Sequence, residues 1–413
     1  MAELLEGPGG APLDVLDPGA PPARYRVVVA LLAAATVAAG GAWLVHATST
    51  ASPDPTTTPA APAAPAAPAQ PPLPPPEPPG TNTLTVRFTD SVHGYALVGR
   101  CGPSSTDRCA YLLRATVDGG QSWQTRRTPL LTVAANAVFS ADLFAFGPQS
   151  LLVTDRGDRW FSADAGRSWR DAPPPAAAAL ASLPDGWALV GSCPYGFETT
   201  AGCGRPIRVL DPATGREHPL ANQPRLLTAF GTEAVTAHDG SLWVTGGEPG
   251  TGRPVVAVTR DRGRSWRSVQ LTPPATPLLG VTVVTHDGRT AYAFVRAQAP
   301  TGVPVKNGLG AVWRTTDGGA RWQRVPPLFS GAQPRSLLGV ALLPDGRLLA
   351  TTEDVDRINV RYSTDGGHLF LRAQDPVPSL GWIDEVAGRY VAGGMYGGHF
   401  ASRDGVHWTP ILN

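Results

Sequence analysis

Aspartates recur in this 413-residue sequence within one short pattern: Ser or Thr two positions before the Asp, Gly two after it, Trp five after it. The full copies are T-V-D-G-G-Q-S-W (116–123), S-A-D-A-G-R-S-W (162–169), T-R-D-R-G-R-S-W (259–266) and T-T-D-G-G-A-R-W (315–322). Such a carboxylate could serve acid–base catalysis, or it could accept bonds from nearby backbone N–H groups and close a turn. The Gly permits positive φ, the Trp buries its ring, and the hydroxyl can close the turn. The pattern therefore predicts turns between strands.

Three partial copies complete the series. The stretch 363–370 replaces Trp by Phe370, and 402–408 is one residue short. Asp211 lies near the middle of the long gap between Asp164 and Asp261 and keeps only Gly215 of the pattern. The residues assigned to these structural turns are Asp118, Trp123, Asp164, Trp169, Asp211, Asp261, Trp266, Asp317, Trp322, Asp365, Phe370, Asp404 and Trp408.

A second repeated element lies upstream of each acidic turn. H-G-Y-A-L-V-G (93–99) matches D-G-W-A-L-V-G (185–191), and each reads as a turn followed by a strand. Weaker versions begin at Asp142, Asp239, Asp287, Asp345 and Gly388. Seven such marks over residues 83–413 give a unit of about 47 residues, the length of four short strands with their turns. The sequence predicts an all-β fold: a seven-bladed β-propeller of four-stranded antiparallel blades.

The innermost strands are expected at the start of each unit. We predict them near 84–90, 133–140, 178–183, 227–236, 279–285, 337–343 and 380–386. The chain then begins on an inner strand and ends on an outer one, at Trp408 to Leu412. With this order, the first and last blades are not expected to exchange a strand. Side-chain packing between them would then close the ring.

The four full motifs resemble the Asp-box, or BNR repeat, and the resemblance covers residues 83–413. Families with this repeat include sialidases, sortilin-like receptors, some endoglucanases and propellers resembling a photosystem II assembly factor. The last group is most similar, because it combines such turns with G-[YW]-A-L-V-G strands. The N-terminal organisation described below is similar to that of membrane-anchored actinobacterial proteins. The resemblance implies a propeller whose acidic turns lie on the outer rim, away from a central ligand face.

An enzymatic alternative is a glycoside hydrolase of sialidase-like or endoglucanase-like type. The resemblance to sialidases implies three arginines that clamp a carboxylate, yet the predicted inner strands contain only Arg87. Asp384 and Glu385 could face the channel, but adjacent strand residues point to opposite faces; Glu233 is the other acid expected near the centre. We therefore predict no catalytic residues, metal site or cofactor. The turn histidines are expected to be solvated and are His368, His399 and His407.

The cysteines form two local pairs. Cys101 and Cys109 follow one A-L-V-G strand, and Cys193 and Cys203 follow another. Equivalent positions in two blades predict two disulfides, each within its own blade. Zinc binding is the rival interpretation, but C-x-x-C spacing and companion histidines are missing from both pairs. Disulfides would require an oxidising compartment.

Residues 1–82 precede the repeats. We predict that residues 1–24 form a disordered cytoplasmic tail. We predict a transmembrane helix over residues 25–47, because Val27 to Ala47 carries no formal charge and is long enough to cross a bilayer. A cleaved signal peptide is the main alternative. Arg24 and Arg26 flank the N-terminal end, which places later residues outside the cell. Residues 48–82 contain 13 prolines and predict an extended linker.

Overall charge narrows the classes of partner. The formal net charge is +1, and charged residues make up 16% of the chain. A nucleic-acid-binding protein usually carries a basic stripe, which this sequence does not have. We predict a single-pass cell-membrane protein whose extracytoplasmic propeller is a non-catalytic recognition or assembly module that binds a protein, peptide or cell-envelope glycan. An assembly factor for a membrane complex is a further possibility. Tyr195, Phe197 and Tyr396 are loop aromatics that could line such a surface.

Overall fold

The structure is a computed structural model. It describes residues 81–100, 108–130, 133–134, 141–155, 157–190, 207–226, 234–272, 278–297, 308–330, 334–354, 357–374, 377–394 and 398–412. Within these ranges no helix is long and apolar enough to cross a membrane. The predicted tail, membrane helix and nearly all of the linker lie outside the described residues and stay predictions.

Seven antiparallel sheets follow one another along the chain, and we number them as blades 1 to 7. Blade 1 contains β1 (Thr81–Phe88), β2 (Gly94–Arg100), β3 (Arg108–Thr116) and β4 (Gln124–Arg127), with β5 (Val133–Ala134) beside β3. Blade 2 contains β6 (Asp142–Ala145), β7 (Leu151–Asp155), β8 (Asp158–Ser162) and β9 (Arg170–Asp171). Blade 3 has three strands among the described residues: β10 (Ala188–Val190), β11 (Arg208–Leu210) and β12 (Glu217–Pro219).

The remaining blades each have four strands in sequential order. Blade 4 contains β13 (Val235–Thr236), β14 (Leu242–Gly247), β15 (Pro254–Thr259) and β16 (Arg267–Gln270). Blade 5 contains β17 (Leu278–Thr285), β18 (Ala291–Ala297), β19 (Gly308–Thr315) and β20 (Gln323–Val325). Blade 6 contains β22 (Ser336–Leu342), β23 (Leu348–Glu353), β24 (Ile358–Ser363) and β25 (Leu369–Arg372), with β21 (Leu328–Phe329) parallel to β25. Blade 7 contains β26 (Leu380–Val386), β27 (Arg389–Gly394), β28 (His399–Ser402) and β29 (Thr409–Leu412).

Seven hydrophobic clusters hold the blades together, one at each junction between consecutive blades. The middle strands supply most of them, because both of their faces are covered by neighbouring blades, as in β14 and β15, which are buried along their whole length. The junction of blades 7 and 1 packs Ile411 and Val391 against Val86 and Phe88. The ring is therefore closed, and the predicted seven-bladed propeller is confirmed.

Among the described strands the closing junction exchanges none, since the strands of blade 1 and of blade 7 each follow one another directly along the chain. Side chains connect the two blades instead. Trp123 donates from Nε1 to the Ile411 carbonyl at 2.7 Å, and Arg389 donates to the carbonyls of Ser91 and Gly119. Closure by side-chain packing agrees with the predicted strand order.

Two predicted inner strands differ from the described structure. The first described strand of blade 2 is β6 (142–145), whereas 133–134, the described part of the predicted strand 133–140, pairs with β3 of blade 1. Asp142 therefore opens a first strand instead of the expected second one. The stretch 178–183 forms no strand; Leu180 bridges Leu220, beside the last strand of blade 3. The chain there reads P-P-P-A-A-A-A-L-A-S (173–182) and offers few side chains large enough to pack between blades.

Candidate functional site

The acidic turns lie between the last two strands of their blades, far along each sheet from its first strand. In blade 1, Asp118 accepts from the Thr116 hydroxyl at 2.7 Å and from the Ser122 backbone N–H at 2.9 Å. The Thr116 hydroxyl in turn accepts from Gly120 N–H at 2.9 Å. Partial burial opposes ionisation of Asp118, but the hydrogen bonds, led by that of the Ser122 hydroxyl, lower its pKa to about 2. The turn satisfies its own carboxylate.

The other turns repeat this arrangement. Ser or Thr donates to the aspartate two residues later in the turns of Asp164, Asp261, Asp317, Asp365 and Asp404. Asp211, which lacks that hydroxyl, accepts from Ala213 N–H and the Thr214 hydroxyl instead. The aromatic rings reach the preceding blade: Trp169 and Trp266 donate to carbonyls there, Trp322 packs edge-on against Trp243, and Phe370 is fully buried. Trp408 donates within its own turn, to Gly405.

Titratable side chains from non-neighbouring blades meet at a different place. Oε1 of Glu385, in β26, lies 3.3 Å from Nδ1 of His286 and 3.9 Å from Nε2 of His238. His238 follows β13 of blade 4, and His286 follows β17 of blade 5. Blades 4 and 7 are three positions apart in the closed ring, so their side chains can approach this closely only near its axis.

An ion pair extends this group toward blade 1. Arg87, in β1, donates from Nη1 to Oδ2 of Asp384 at 3.0 Å, and each side chain stays 40% exposed. We call His238, His286, Glu385, Asp384 and Arg87 the axial cluster. The adjacent acids meet different partners, as the alternation of strand side chains predicts.

Burial dominates the electrostatics of the axial carboxylates. It raises the pKa of Asp384, against the nearby charge of Arg87. It also raises the pKa of Glu385, against His286 and His238. The Asp384 side chain is open to the channel but has protein walls around it, and these displace much of the water that would stabilise its charge. The pKa values of the axial carboxylates are therefore raised, whereas the pKa of Asp118 in an acidic turn is lowered.

Two similar loops position the histidines. A-H-D-G (237–240) and T-H-D-G (285–288) occupy the same place in consecutive blades, between the first and second strands. The backbone N–H of His238 donates to the His286 carbonyl at 3.0 Å, and the rings lie 4.0 Å apart. The sequence analysis interpreted the Asp-Gly pairs as turns but did not identify His238 and His286, which directly precede them. The occurrence of a histidine at the same position in two consecutive blades was the signal that could have indicated this site.

The structure contradicts the prediction for one of the three turn histidines, and several other predicted residues lie outside the described part of the chain. His399 is buried, and this burial lowers its pKa to about 4, so the expectation of a solvated side chain is wrong. His368 and His407 are exposed, as expected. Residues outside the described part of the chain are Glu233, Tyr195, Phe197, Tyr396, Cys101, Cys193 and Cys203. Cys109 is the second residue of β3, and only its backbone is described, so both disulfides stay predictions.

A separate concavity lies at the closing junction. It has a volume of about 920 Å³ and is lined by Asp118, Arg389 and Asp404 among others. Its carboxylates already accept bonds within their turns, and Arg389 already binds two carbonyls of blade 1. The side chains of the axial cluster lie outside this concavity and are better placed to bind a ligand, because their partners are other side chains that a ligand can replace.

A scan against protein-family models finds no match, and a search of curated proteins also finds none. Among solved structures the chain is similar to "YCF48 bound to D1 peptide", at 16% identity and TM-score 0.32, over 80% of this chain and 81% of that one. It is similar to the GH74 xyloglucanase from Xanthomonas campestris, at 19% identity and TM-score 0.34, over 75% and 43% of the two chains. It is also similar to a Hadza microbial sialidase, at 15% identity and TM-score 0.35, over 52% of this chain and 55% of that one. At these identities the likeness concerns the fold alone.

Proposed function

We propose that this protein is a non-catalytic binding module, and that the axial cluster contacts its ligand, a protein, peptide or cell-envelope glycan. The observation that carries the proposal is the meeting of Arg87, Asp384, Glu385 and two histidines from four blades at the axis. Strands and short loops hold these groups, so their positions are set before a ligand arrives.

The charges of the cluster suit recognition of a polar ligand. Arg87 and Asp384 are each 40% exposed and His238 is 56% exposed, so water and ligand atoms can reach them. Donors and acceptors lie side by side, and a ligand carrying both can replace the existing contacts. Partial burial weakens competition from water, which strengthens each new hydrogen bond.

We further propose that residues 25–47 anchor the chain in the cell membrane and that residues 48–82 hold the propeller outside the cell. The support is the uncharged stretch Val27 to Ala47, the flanking Arg24 and Arg26, and the proline content of the linker. The test is protease treatment of intact cells that express the chain with an N-terminal epitope. We expect loss of the propeller and protection of the epitope; a protected propeller would reverse the topology.

A glycoside hydrolase is the second candidate, favoured by one observation. Burial raises the pKa of Glu385, as a general acid requires. Protein around the Asp142 carboxylate, in β6, raises its pKa against the charge of Arg87, although the residue stays exposed to solvent. The distinguishing property is turnover, which a binding module does not show.

One experiment tests both candidates. The full chain in detergent is incubated with cell-envelope fractions, and bound material and new reducing ends are measured. We expect saturable binding without new reducing ends, at least tenfold weaker in an Arg87→Gln/Glu385→Gln variant and unchanged in Arg262→Gln, whose exposed partner is Asp185. Reducing ends that depend on Glu385 would establish the hydrolase. Binding that is equal in all three proteins would overturn the proposed site.

A further inference from the structure

Three metal-ligating side chains of the axial cluster point at one another. The available ligand atoms of His238, His286 and Glu385 all lie within 4.8 Å of one another. Two imidazoles and one carboxylate form a donor set typical of zinc and of other divalent transition metals. The three residues come from three blades, so no single turn or strand explains their convergence.

One atom of this group lacks a satisfied bond. Nδ1 of His286 is buried and has no hydrogen-bond partner among the described residues. It faces Oε1 of Glu385 at 3.3 Å, without the geometry of a hydrogen bond. Two atoms that each lie about 2.0–2.2 Å from a tetrahedral zinc ion are separated by about 3.3–3.6 Å. The spacing of this pair is that of two ligands of one ion.

The third ligand comes from the most exposed of the three side chains. Nε2 of His238 lies 3.9 Å from Oε1 of Glu385, the three ligand atoms lie within 4.8 Å of one another, and the His238 side chain is 56% exposed. Because exposed side chains change rotamer readily, His238 can move toward the other two ligands. The exposure also leaves one side of the group open, where an ion could keep water or bind a ligand atom.

Neighbouring residues hold the two histidine loops together. Arg260, which follows β15 directly, donates to the carboxylate of Asp239 and to the carbonyl of Gly288. Asp239 follows His238 directly, and Gly288 lies two residues after His286. One guanidinium therefore fastens both loops. Such outer contacts orient metal ligands and are a usual part of a metal site.

We infer that His238, His286 and Glu385 bind one divalent transition-metal ion of the zinc class at the ring axis. The ion would hold two imidazoles whose ring centroids lie 4.0 Å apart in shared coordination, and it would link blades 4, 5 and 7. This inference does not depend on the proposed function, because metal binding is measured without any ligand.

The experiment uses the full chain, untagged and in detergent, after removal of metals with a chelator. Zn²⁺ is titrated by calorimetry, and Co²⁺ by its visible absorption, which reports nitrogen and oxygen ligation. We expect one ion per chain. His286→Ala and Glu385→Gln, each tested alone, should weaken binding at least tenfold. His368→Ala, which removes an exposed imidazole from the acidic turn of blade 6, should bind like the wild type.

The folding of each variant is compared by thermal unfolding without metal. His238→Ala serves as a second test should His286→Ala be unfolded, because its side chain is more exposed. Unchanged affinity in Glu385→Gln would overturn the inference, as would the lack of saturable binding by the wild type. A Zn²⁺ site that survives all three substitutions would also overturn it.

Discussion

At the perimeter of the ring, each aspartate accepts hydrogen bonds from residues within four positions of it, whereas at the axis each carboxylate meets side chains from other blades. The local bonds lower the pKa of Asp118, Asp164 and Asp261 to about 2, although partial burial opposes this for Asp118 and Asp164. Burial at the axis instead raises the pKa of Asp384 and Glu385.

This difference separates scaffold from site. A carboxylate whose acceptor positions are filled by its own turn has little capacity for a ligand, and its loss should affect stability. A carboxylate held by exposed partners from distant blades can exchange them, and its loss should affect binding. Substitutions at the two places should therefore separate stability from binding.

The largest effect is expected at Gly166, in the acidic turn of blade 2. Its φ is +80°, and an added Cβ would lie 2.2 Å from Cδ2 of Leu113 in blade 1. Gly166→Ala should cost about 1–2 kcal/mol for the backbone and about 1–3 kcal/mol for overpacking. Gly346→Ala is the matched control, since φ is +84° there and nothing lies within 4 Å. Chemical denaturation measures both; equal losses would mean that the perimeter turn is not tightly packed.

A smaller loss of stability is expected when a carboxylate of an acidic turn is removed. Asp164 accepts from the hydroxyls of Ser162 and Ser168 and from the N–H groups of Arg167 and Ser168. Asp164→Ala should lower the free energy of unfolding by about 1–3 kcal/mol. In the metal-free protein, Glu385→Gln, at the axis, should change it by less than about 1 kcal/mol. A reversed order in urea unfolding would break the distinction between scaffold and site.

The perimeter could be predicted from sequence because each turn is local and repeated. The Ser/Thr, Asp and Gly of one stretch make the bonds that define it, so seven copies indicated seven blades. The decayed copy at Asp211 was recognisable for the same reason. The predicted strand at 178–183 and the predicted second-strand position of Asp142 were wrong where the repeat is weakest, since the described parts of blades 2 and 3 have short strands and a proline- and alanine-rich connection.

The axial cluster could not be predicted in the same way. Glu385, His286 and His238 lie in three blades, and their contact depends on how far each loop reaches toward the axis. The sequence contained part of the signal, namely a histidine before D-G in two consecutive blades. It did not indicate that Glu385 faces them, because strand alternation alone leaves its partner open.

Acid should weaken the perimeter by a modest amount. The pKa of Asp118, Asp164 and Asp261 is about 2 in the folded chain, below the ordinary value of 3.8. Their stabilisation is therefore complete above about pH 4 and is lost as the pH falls toward 2. Solvent screening limits each to less than about 1 kcal/mol. An Asp118→Asn/Asp164→Asn/Asp261→Asn variant should show a flatter loss of stability between pH 4 and 2 than the wild type; an identical slope would assign acid sensitivity to other groups.

The smallest effect is expected at the axial ion pair. Arg87 and Asp384 are joined at 3.0 Å but are both 40% exposed, and such pairs typically contribute 0–1 kcal/mol. Arg87→Gln should therefore lower the free energy of unfolding by less than about 1 kcal/mol, and added salt should shrink the difference further. Urea unfolding at low and high salt measures both quantities. A loss above about 2 kcal/mol that persists in high salt would show that the axis, like the perimeter, is needed to hold the ring together.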